Sequence, residues 1–296
     1  MPKLPLSSQV VLITGASTGI GKAIALKLAE RYSGIRLILT ARSQDKLQIL
    51  AQECQSLGAT VATIPADLAV TEQAQTLAEK AQQQFDRLDV LINNAGYGQM
   101  GPAELIPPEA AQLQMAVNFH APLILSQALI PQMRQQGYGR IINISSVAGR
   151  LAFPLMGIYS ASKFALEALS DALRMELHPF NIKVVVIEPG PVKTEFFQVV
   201  GQKIQQFLPT MTESPYAPAV GGFTGMEEMI DRVAWSSDRL AEMVIQAMAA
   251  PNPKDRYIAP TNQIFINLIQ LLPAGWRDSF WRKNYGLDKI KPTIPN

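Results

Sequence analysis

Tyr159-Ser160-Ala161-Ser162-Lys163 sets a phenol and an ammonium four residues apart. On a helix that spacing puts both side chains on one face, near enough to interact. A free tyrosine, with a pKa near 10, is a poor acid–base group at neutral pH. A positive charge about 5 Å away, at an effective dielectric near 20, is worth roughly 3 kcal/mol, or about two pKa units. The pair therefore predicts a lowered phenol that shuttles protons. The same spacing arises by chance on amphipathic helices, so its setting decides its meaning.

Thr14-Gly15-Ala16-Ser17-Thr18-Gly19-Ile20-Gly21 follows a strand-like run and opens a helix-like one. Glycines at such a junction permit a tight turn and let backbone N–H groups approach a pyrophosphate at the helix N-terminus. The spacing is G-x-x-x-G-x-G rather than the usual G-x-G-x-x-G, and a plain turn is the alternative to a nucleotide site. An Asp or Glu ending the next strand would bond an adenosine ribose and favour NAD. Ala41-Arg42 stands there instead. A guanidinium pairs with a 2′-phosphate, which makes NADP(H) the expected cofactor over NAD(H).

These groups need a scaffold to bring them together. Short runs rich in Val, Ile and Leu occupy 10–14, 36–40, 60–64, 89–93, 140–145 and 183–188. Strands covered on both faces read this way. Helical patterns fill the intervals at 20–32, 45–57, 71–85, 108–135 and 157–177. The alternation implies right-handed βαβ units and an α/β, doubly wound parallel sheet in a single domain spanning 1–296. Ligands of such sheets bind beyond the carboxyl ends of the strands. Ser145-Ser146, Asn93-Asn94-Ala95-Gly96 and Pro189-Gly190-Pro191-Val192-Lys193-Thr194 all fall at those ends, beside the glycine loop. Residues 191–235 carry repeated Pro, Gly and Met and no strand–helix rhythm. They are expected to form a flap over the site, an ordinary surface excursion being the alternative. Met211, Met226 and Met229 there suit either an adaptable pocket or a small core. The run 237–250 reads as a helix and 256–259 as a short edge strand.

Together the motifs resemble those of the short-chain dehydrogenase/reductase family, over about residues 8–195. TGASTGIG is similar to the family's cofactor loop, NNAG to its strand-end motif, YSASK to its catalytic pair and PGPVKT to the loop holding the nicotinamide carboxamide. The resemblance implies a catalytic set of Asn118, Ser146, Tyr159 and Lys163. Asn118 would hold a water that links Lys163 to solvent. Ser146, thirteen residues before Tyr159, would bond the substrate carbonyl, with Ser145 a competing choice. Tyr159 would give a proton to the carbonyl oxygen or take it from an alcohol. Lys163 would lower the tyrosine and hold the nicotinamide ribose.

Cofactor contacts are implied at Gly15, Ser17, Thr18, Gly19, Ile20, Gly21, Arg42, Asp67, Leu68, Asn93, Ala95, Gly96, Tyr159, Lys163, Pro189, Gly190, Val192 and Thr194. Asp67 would meet the adenine amine, and a helix N-cap is its plainer role. NADP-selective members often carry a second basic residue just before the middle glycine. This chain has Thr18 there, which leaves discrimination mainly to Arg42, with Ser17 and Ser43. The implied activity is NADP(H)-dependent interconversion of a ketone or aldehyde and its alcohol. A 3-oxoacyl thioester reductase is the alternative, and a non-catalytic NADP(H)-binding sensor is the alternative of another class. The family also implies a homo-oligomer, dimer or tetramer, commonly joined through the fourth and fifth helices.

Composition narrows the remainder. Among 296 residues, 26 basic against 24 acidic side chains give a net charge of +2, no electrostatic case for nucleic acid. A hydrophobic share of 48% excludes intrinsic disorder. Cys54 is the one cysteine, so no internal disulfide forms, and no Cys/His cluster has metal-ligand spacing. It reads as a packing or surface thiol. His120, on a helix expected to be buried, and His178, near a helix end, have non-catalytic explanations. The N-terminus has no long apolar h-region, and no stretch reaches about 18 consecutive apolar residues, so a cytoplasmic location is expected.

Residues 261–296 extend beyond the family's minimal reductases. In 262–272, Ile264, Phe265, Ile266, Leu268, Ile269, Leu271 and Leu272 leave a polar stripe of only Gln263, Asn267 and Gln270. Trp276, Phe280, Trp281 and Tyr285 follow, interleaved with Arg277, Arg282 and Lys283. So apolar a helix must be covered by the parent domain, a second subunit or a membrane surface. Packing is the ordinary expectation and peripheral membrane contact the alternative. The apolar flap and tail favour a lipophilic substrate, as in family members acting on lipophilic alcohols and ketones.

Overall fold

Strands buried on both faces have no solvent side on which to place polar residues, so their apolar runs are continuous. The computed structural model describes residues 4–220, 233–259 and 263–290, and its central strands have this character. The strands are β1 (Val10–Thr14), β2 (Arg36–Thr40), β3 (Thr60–Thr63), β4 (Val90–Asn93), β5 (Gly139–Ile144), β6 (Ile182–Pro189), β7 (Val192–Lys193), β8 (Trp235–Ser236) and β9 (Arg256–Ala259). Among the described residues, seven of them form one sheet in the order β3-β2-β1-β4-β5-β6-β9, with every pair parallel. β7 and β8 make a separate parallel pair. The doubly wound α/β fold read from the sequence is the fold observed.

Helices α1 (Gly19–Arg31), α2 (Gln44–Ser56), α3 (Thr71–Gln84), α4 (Pro108–Met115), α5 (Ala121–Gln136) and α6 (Gly157–Leu177) alternate with the strands. α7 (Phe196–Thr212), α8 (Ala217–Val220), α9 (Ser237–Ala249), α10 (Gln263–Leu271) and α11 (Ala274–Asn284) follow. One face of the sheet is covered by α1, α2 and α9 through Ile24, Leu28, Leu47, Leu50, Leu240 and Val244. The other is covered by α3, α5 and α6 through Leu77, Leu125, Leu129 and Leu173. Full burial of each Leu, Ile or Val side chain is worth roughly 1.5–3 kcal/mol. Chain order reverses between β1 and β4, so a crevice opens at their carboxyl ends.

Several expectations change. The run 108–135 is not one regular helix: a π-helical turn, Ala116–His120, separates α4 from α5. The joined helix Pro108–Gln136 is long and apolar enough by composition to cross a membrane, but it packs on α3 and α6 as a core helix. His120 on it is exposed rather than buried. Within 191–235 the long α7 escaped sequence reading, because Gly201 and Pro209 mask its pattern and Pro209 is tolerated only near its end. Met211 is fully buried with Ile106 and Val220, a small core rather than a pocket wall. Met226 and Met229 lie outside the described residues. Val70, not Asp67, occupies the N-cap of α3. Cys54 is a packing residue, its thiol pushed up to about 12 by burial.

Candidate active site

Leaving β1, the chain must turn sharply to enter α1. Gly15 and Gly19 do so with φ of +63° and +53°, the left-handed region that glycine occupies without steric cost. A Cβ at Gly15 would stand 2.8 Å from the Cα of Ala95, so the loop and the end of β4 approach as closely as backbone allows. Thr14 Oγ1 accepts the N–H groups of Asn94 and Ala95 at 2.9 and 3.0 Å. Asn94 Nδ2 donates back to the Thr14 carbonyl at 2.8 Å. Thr18 makes no side-chain cap, so the first N–H groups of α1 are left for an anion.

Most of the expected contacts line one cleft of about 1630 Å³: Gly15, Ser17, Thr18, Gly19, Ile20, Arg42, Asp67, Leu68, Ala95, Gly96, Pro189, Gly190, Val192 and Thr194. Two do not. Gly21 faces the Gly15 carbonyl and Asn94, where a side chain has no room, and acts in packing. Asn93 is buried and donates to Asn143 Oδ1 at 2.8 Å, while Asn143 donates to Ser170. It ties β4, β5 and α6 together beneath the site. Asn94, its neighbour in the motif, lines the cleft instead.

Tyr159 and Lys163 share the first turns of α6, both buried and both on the cleft. Lys163 Nζ lies 6.0 Å from the Tyr159 ring centroid and donates to the Ile144 carbonyl at 2.8 Å. Ser146, just past β5, accepts the Ala148 N–H at 3.1 Å and donates to the Pro189 carbonyl at 3.3 Å. Ser146 also acts on the Tyr159 phenol, drawing it downward, whereas Ser145 acts on Glu167 in the same sense. That difference separates the two serines.

Asn118 sits in the π-helical turn, a local irregularity found often at functional sites. Its Nδ2 donates to the Tyr97 carbonyl at 3.0 Å and to Ser162 Oγ at 3.1 Å. The side chain is buried behind the cleft wall rather than lining it. Gly96 brings β4 against the same place: a Cβ there would meet Asn118 Oδ1 at 3.2 Å and Lys163 Nζ at 3.6 Å.

Electrostatics correct the sequence reading. Burial pushes the Tyr159 phenol up to about 12, with the Ser146 hydrogen bond acting in the opposite direction. Burial likewise brings Lys163 down to about 8, and Glu167 pulls it upward. The coulombic argument from helix spacing omitted desolvation, which here exceeds the help of one ammonium turned toward a carbonyl.

At the other end of the cleft Arg42 stands exposed beside Lys46, which also lines it and reaches Glu195 at 3.9 Å. Lys46, one helical turn beyond Arg42, is a second cation that the motif comparison missed. Asp67 Oδ1 accepts the Ala69 N–H at 3.0 Å, an Asx turn that fixes its carboxylate on the rim. The glycine cradle, the open helix terminus and the cations fit a nicotinamide dinucleotide. The same cleft has an apolar lobe lined by Met100, Phe153, Met156, Phe196 and Trp281, the Phe196 ring lying 5.8 Å from that of Tyr159. Leu155 holds a left-handed φ of +61° there, its carbonyl accepting the Gly101 N–H at 2.7 Å. A leucine so strained persists only where surrounding structure demands it, and such residues cluster at sites. Among the described residues no cluster could hold a metal.

Comparison with known proteins agrees with this geometry. The family described as short chain dehydrogenase matches residues 9–205. The chain is 34% identical to a probable short-chain type dehydrogenase/reductase, VdlC, of Helicobacter pylori, covering 92% of this chain and 96% of that one. It is 39% identical to a 3-ketodihydrosphingosine reductase of Bacteroides thetaiotaomicron over 64% of this chain and 66% of that one. A short-chain dehydrogenase from Sphingobium yanoikuyae in complex with NADPH superposes with a TM-score of 0.70 at 27% identity, covering 97% of this chain and 98% of that one. Solved neighbours hold NADP or NAD. The chain belongs to the short-chain dehydrogenase/reductase family, and it is an oxidoreductase acting on CH–OH groups.

Proposed function

We propose that the protein is an NADP(H)-dependent oxidoreductase interconverting a lipophilic ketone or aldehyde and its alcohol, with Tyr159 as the acid–base group. The observation that carries this is the place of Tyr159, Ser146 and Lys163 where the dinucleotide half of the cleft meets its apolar lobe. A bound nicotinamide supplies or accepts the hydride. A carbonyl oxygen in the apolar lobe is held by the Ser146 hydroxyl and receives the Tyr159 proton. A phenol near 12 is protonated throughout the neutral range, ready to donate. Lys163 holds the ribose and, charged below about 8, favours the phenolate left behind. Asn118, buried beside Lys163, positions a water that links the ammonium to solvent. The reverse reaction needs the phenol lowered, which a positive nicotinamide ring would do.

NADP(H) over NAD(H) is supported by Arg42 and Lys46 at the adenosine end and by the lack of a carboxylate ending β2. A relative named for reducing a ketone supports a ketone substrate. Assembly into a homo-oligomer through α5 and α6 accords with the exposed Phe164 and Met175 on α6. The test follows NADPH consumption with a bulky apolar ketone and a short 3-oxoacyl thioester side by side. Turnover of the ketone alone is expected. Preference for the thioester would replace the lipophilic reading, and silence with both would favour a cofactor-binding sensor.

A further inference from the structure

A helix lying on a protein surface ordinarily turns its polar residues to water and its apolar residues inward. α10 departs from this: it buries Ile266 but leaves Ile264, Leu268, Leu271 and Leu272 exposed. Its polar residues face the protein: Arg150 Nη2 donates to Asn267 Oδ1 at 2.8 Å and to Gln270 Oε1 at 2.5 Å, and Gln270 Nε2 donates to the Arg150 carbonyl at 2.9 Å. Arg150 is held in turn by the buried Glu188 at 3.6 Å. Leu268 and Leu271 are left 57% and 80% exposed, and Leu272 follows them outward. α11 continues the surface with Trp276 at 71% and Phe280 at 57%, while its Trp281 anchors it to Phe153 with ring centroids 4.8 Å apart. The tail is thus docked on the core through Asn267, Gln270, the buried Ile266, Trp281 and Tyr285, with Ile264, Leu268, Leu271, Leu272, Trp276 and Phe280 left outermost.

Two further observations select what covers this side. Phe280 belongs both to the exposed surface and to the wall of the cleft, so the apolar patch runs into the cleft mouth. Lys283 and Lys289 stand exposed on the same rim. A two-fold contact through the patch would place this cationic rim against its own copy and close the mouth. A bilayer meets the arrangement instead: leucines enter the acyl boundary, Trp276 sits at the headgroup level and the lysines meet anionic lipid. We propose that α10 and α11 seat the protein on a lipid surface bearing anionic headgroups, with the cleft mouth opening onto it. An apolar substrate then enters from the lipid without crossing water, a step that rests on the proposed function.

Flotation of the full-length protein with vesicles tests this, using phosphatidylcholine alone and phosphatidylcholine mixed three to one with phosphatidylglycerol. The wild type is expected to float with the mixed vesicles, and less at raised salt or without anionic lipid. A Leu268→Glu/Leu271→Glu variant is expected to lose at least about tenfold of that binding. Neither residue lines the cleft, so NADPH binding, followed by fluorescence, is expected to stay unchanged and reports that the variant is folded. Brominated lipid should quench wild-type tryptophan emission, and a Trp276→Phe variant should lose most of that quenching while still floating. Absence of wild-type flotation would overturn the proposal, as would equal flotation of the double variant. So would a wild-type dimer, seen by light scattering, that the double variant splits. Failure of NADPH binding in the wild type would instead defeat the oxidoreductase reading and leave the flotation result standing.

Discussion

Tyr159 is buried and pushed up to about 12, so its phenol keeps its proton across the neutral range. Tyr159→Phe removes that proton and little else. Turnover is expected to fall by roughly 10²–10⁴-fold, the range of a positioned acid–base group, while NADPH still binds; equal turnover in the variant would refute the mechanism. Lys163, near 8, is charged below that pH and loses its proton above it. The kcat/KM of carbonyl reduction is therefore expected to hold up to about pH 8 and decline beyond, and a profile flat to pH 10 would speak against the assigned role. Arg42 and Lys46 both line the cleft, and under the proposed NADP(H) preference they are the charges that meet a 2′-phosphate. Replacing both by alanine should raise the KM for NADPH by about tenfold or more and leave that for NADH little changed, since each charge-assisted hydrogen bond is worth about 1.5–3 kcal/mol.

At the scale of elements, the site depends on how helices are fixed to the sheet. Arg140 on β5 is fully buried and donates to the carbonyls of Ala247, Met248 and Ala250, closing the C-terminal end of α9. Arg140→Ala would leave three carbonyls without their donor, and a loss of roughly 2–4 kcal/mol is expected in denaturant unfolding. A change under about 0.5 kcal/mol would show that water replaces the guanidinium freely. Most elements were legible from sequence because continuous apolar strands and amphipathic helices have distinct periods. α7 was not, since Gly201 and Pro209 carry the local signature of a loop although neighbouring structure holds a helix there. The π-helical turn at Asn118 was equally hidden: one extra residue in a turn leaves composition unchanged.

For the whole molecule, a buried charge network joins the active-site helix to the tail. Arg256 bonds Glu167 at 3.2 Å and Asp171 at 2.8 Å and forms an ion pair with Glu188 at 3.0 Å, and Arg150 links Glu188 to α10. Burial, with Glu167 nearby, raises Glu188 from 4.5 to about 7. The fold thus binds a proton more tightly than the unfolded chain does. Its contribution to stability is fully present below about pH 4.5 and is lost as pH rises through about 7. Glu188→Gln removes this dependence. The wild type is expected to lose stability relative to the variant between pH 5 and 8, measured as the difference in Tm, and a constant difference would exclude a raised carboxyl.

Sequence by itself determined the parallel sheet, the alternation of strands and helices up to about residue 190, and the Tyr159–Lys163 and Gly15–Gly19 motifs. These follow from local pattern, from the handedness of crossovers and from residue types that few other roles require. Tertiary structure alone decided that Asn93 and Gly21 support rather than line the cleft, and that Lys46 joins Arg42. It also decided the sign of the tyrosine shift and the outward face of α10. The reason is common to all of them. Burial, side-chain direction and the partner across a gap depend on residues distant in the chain, and local spacing carries no record of desolvation.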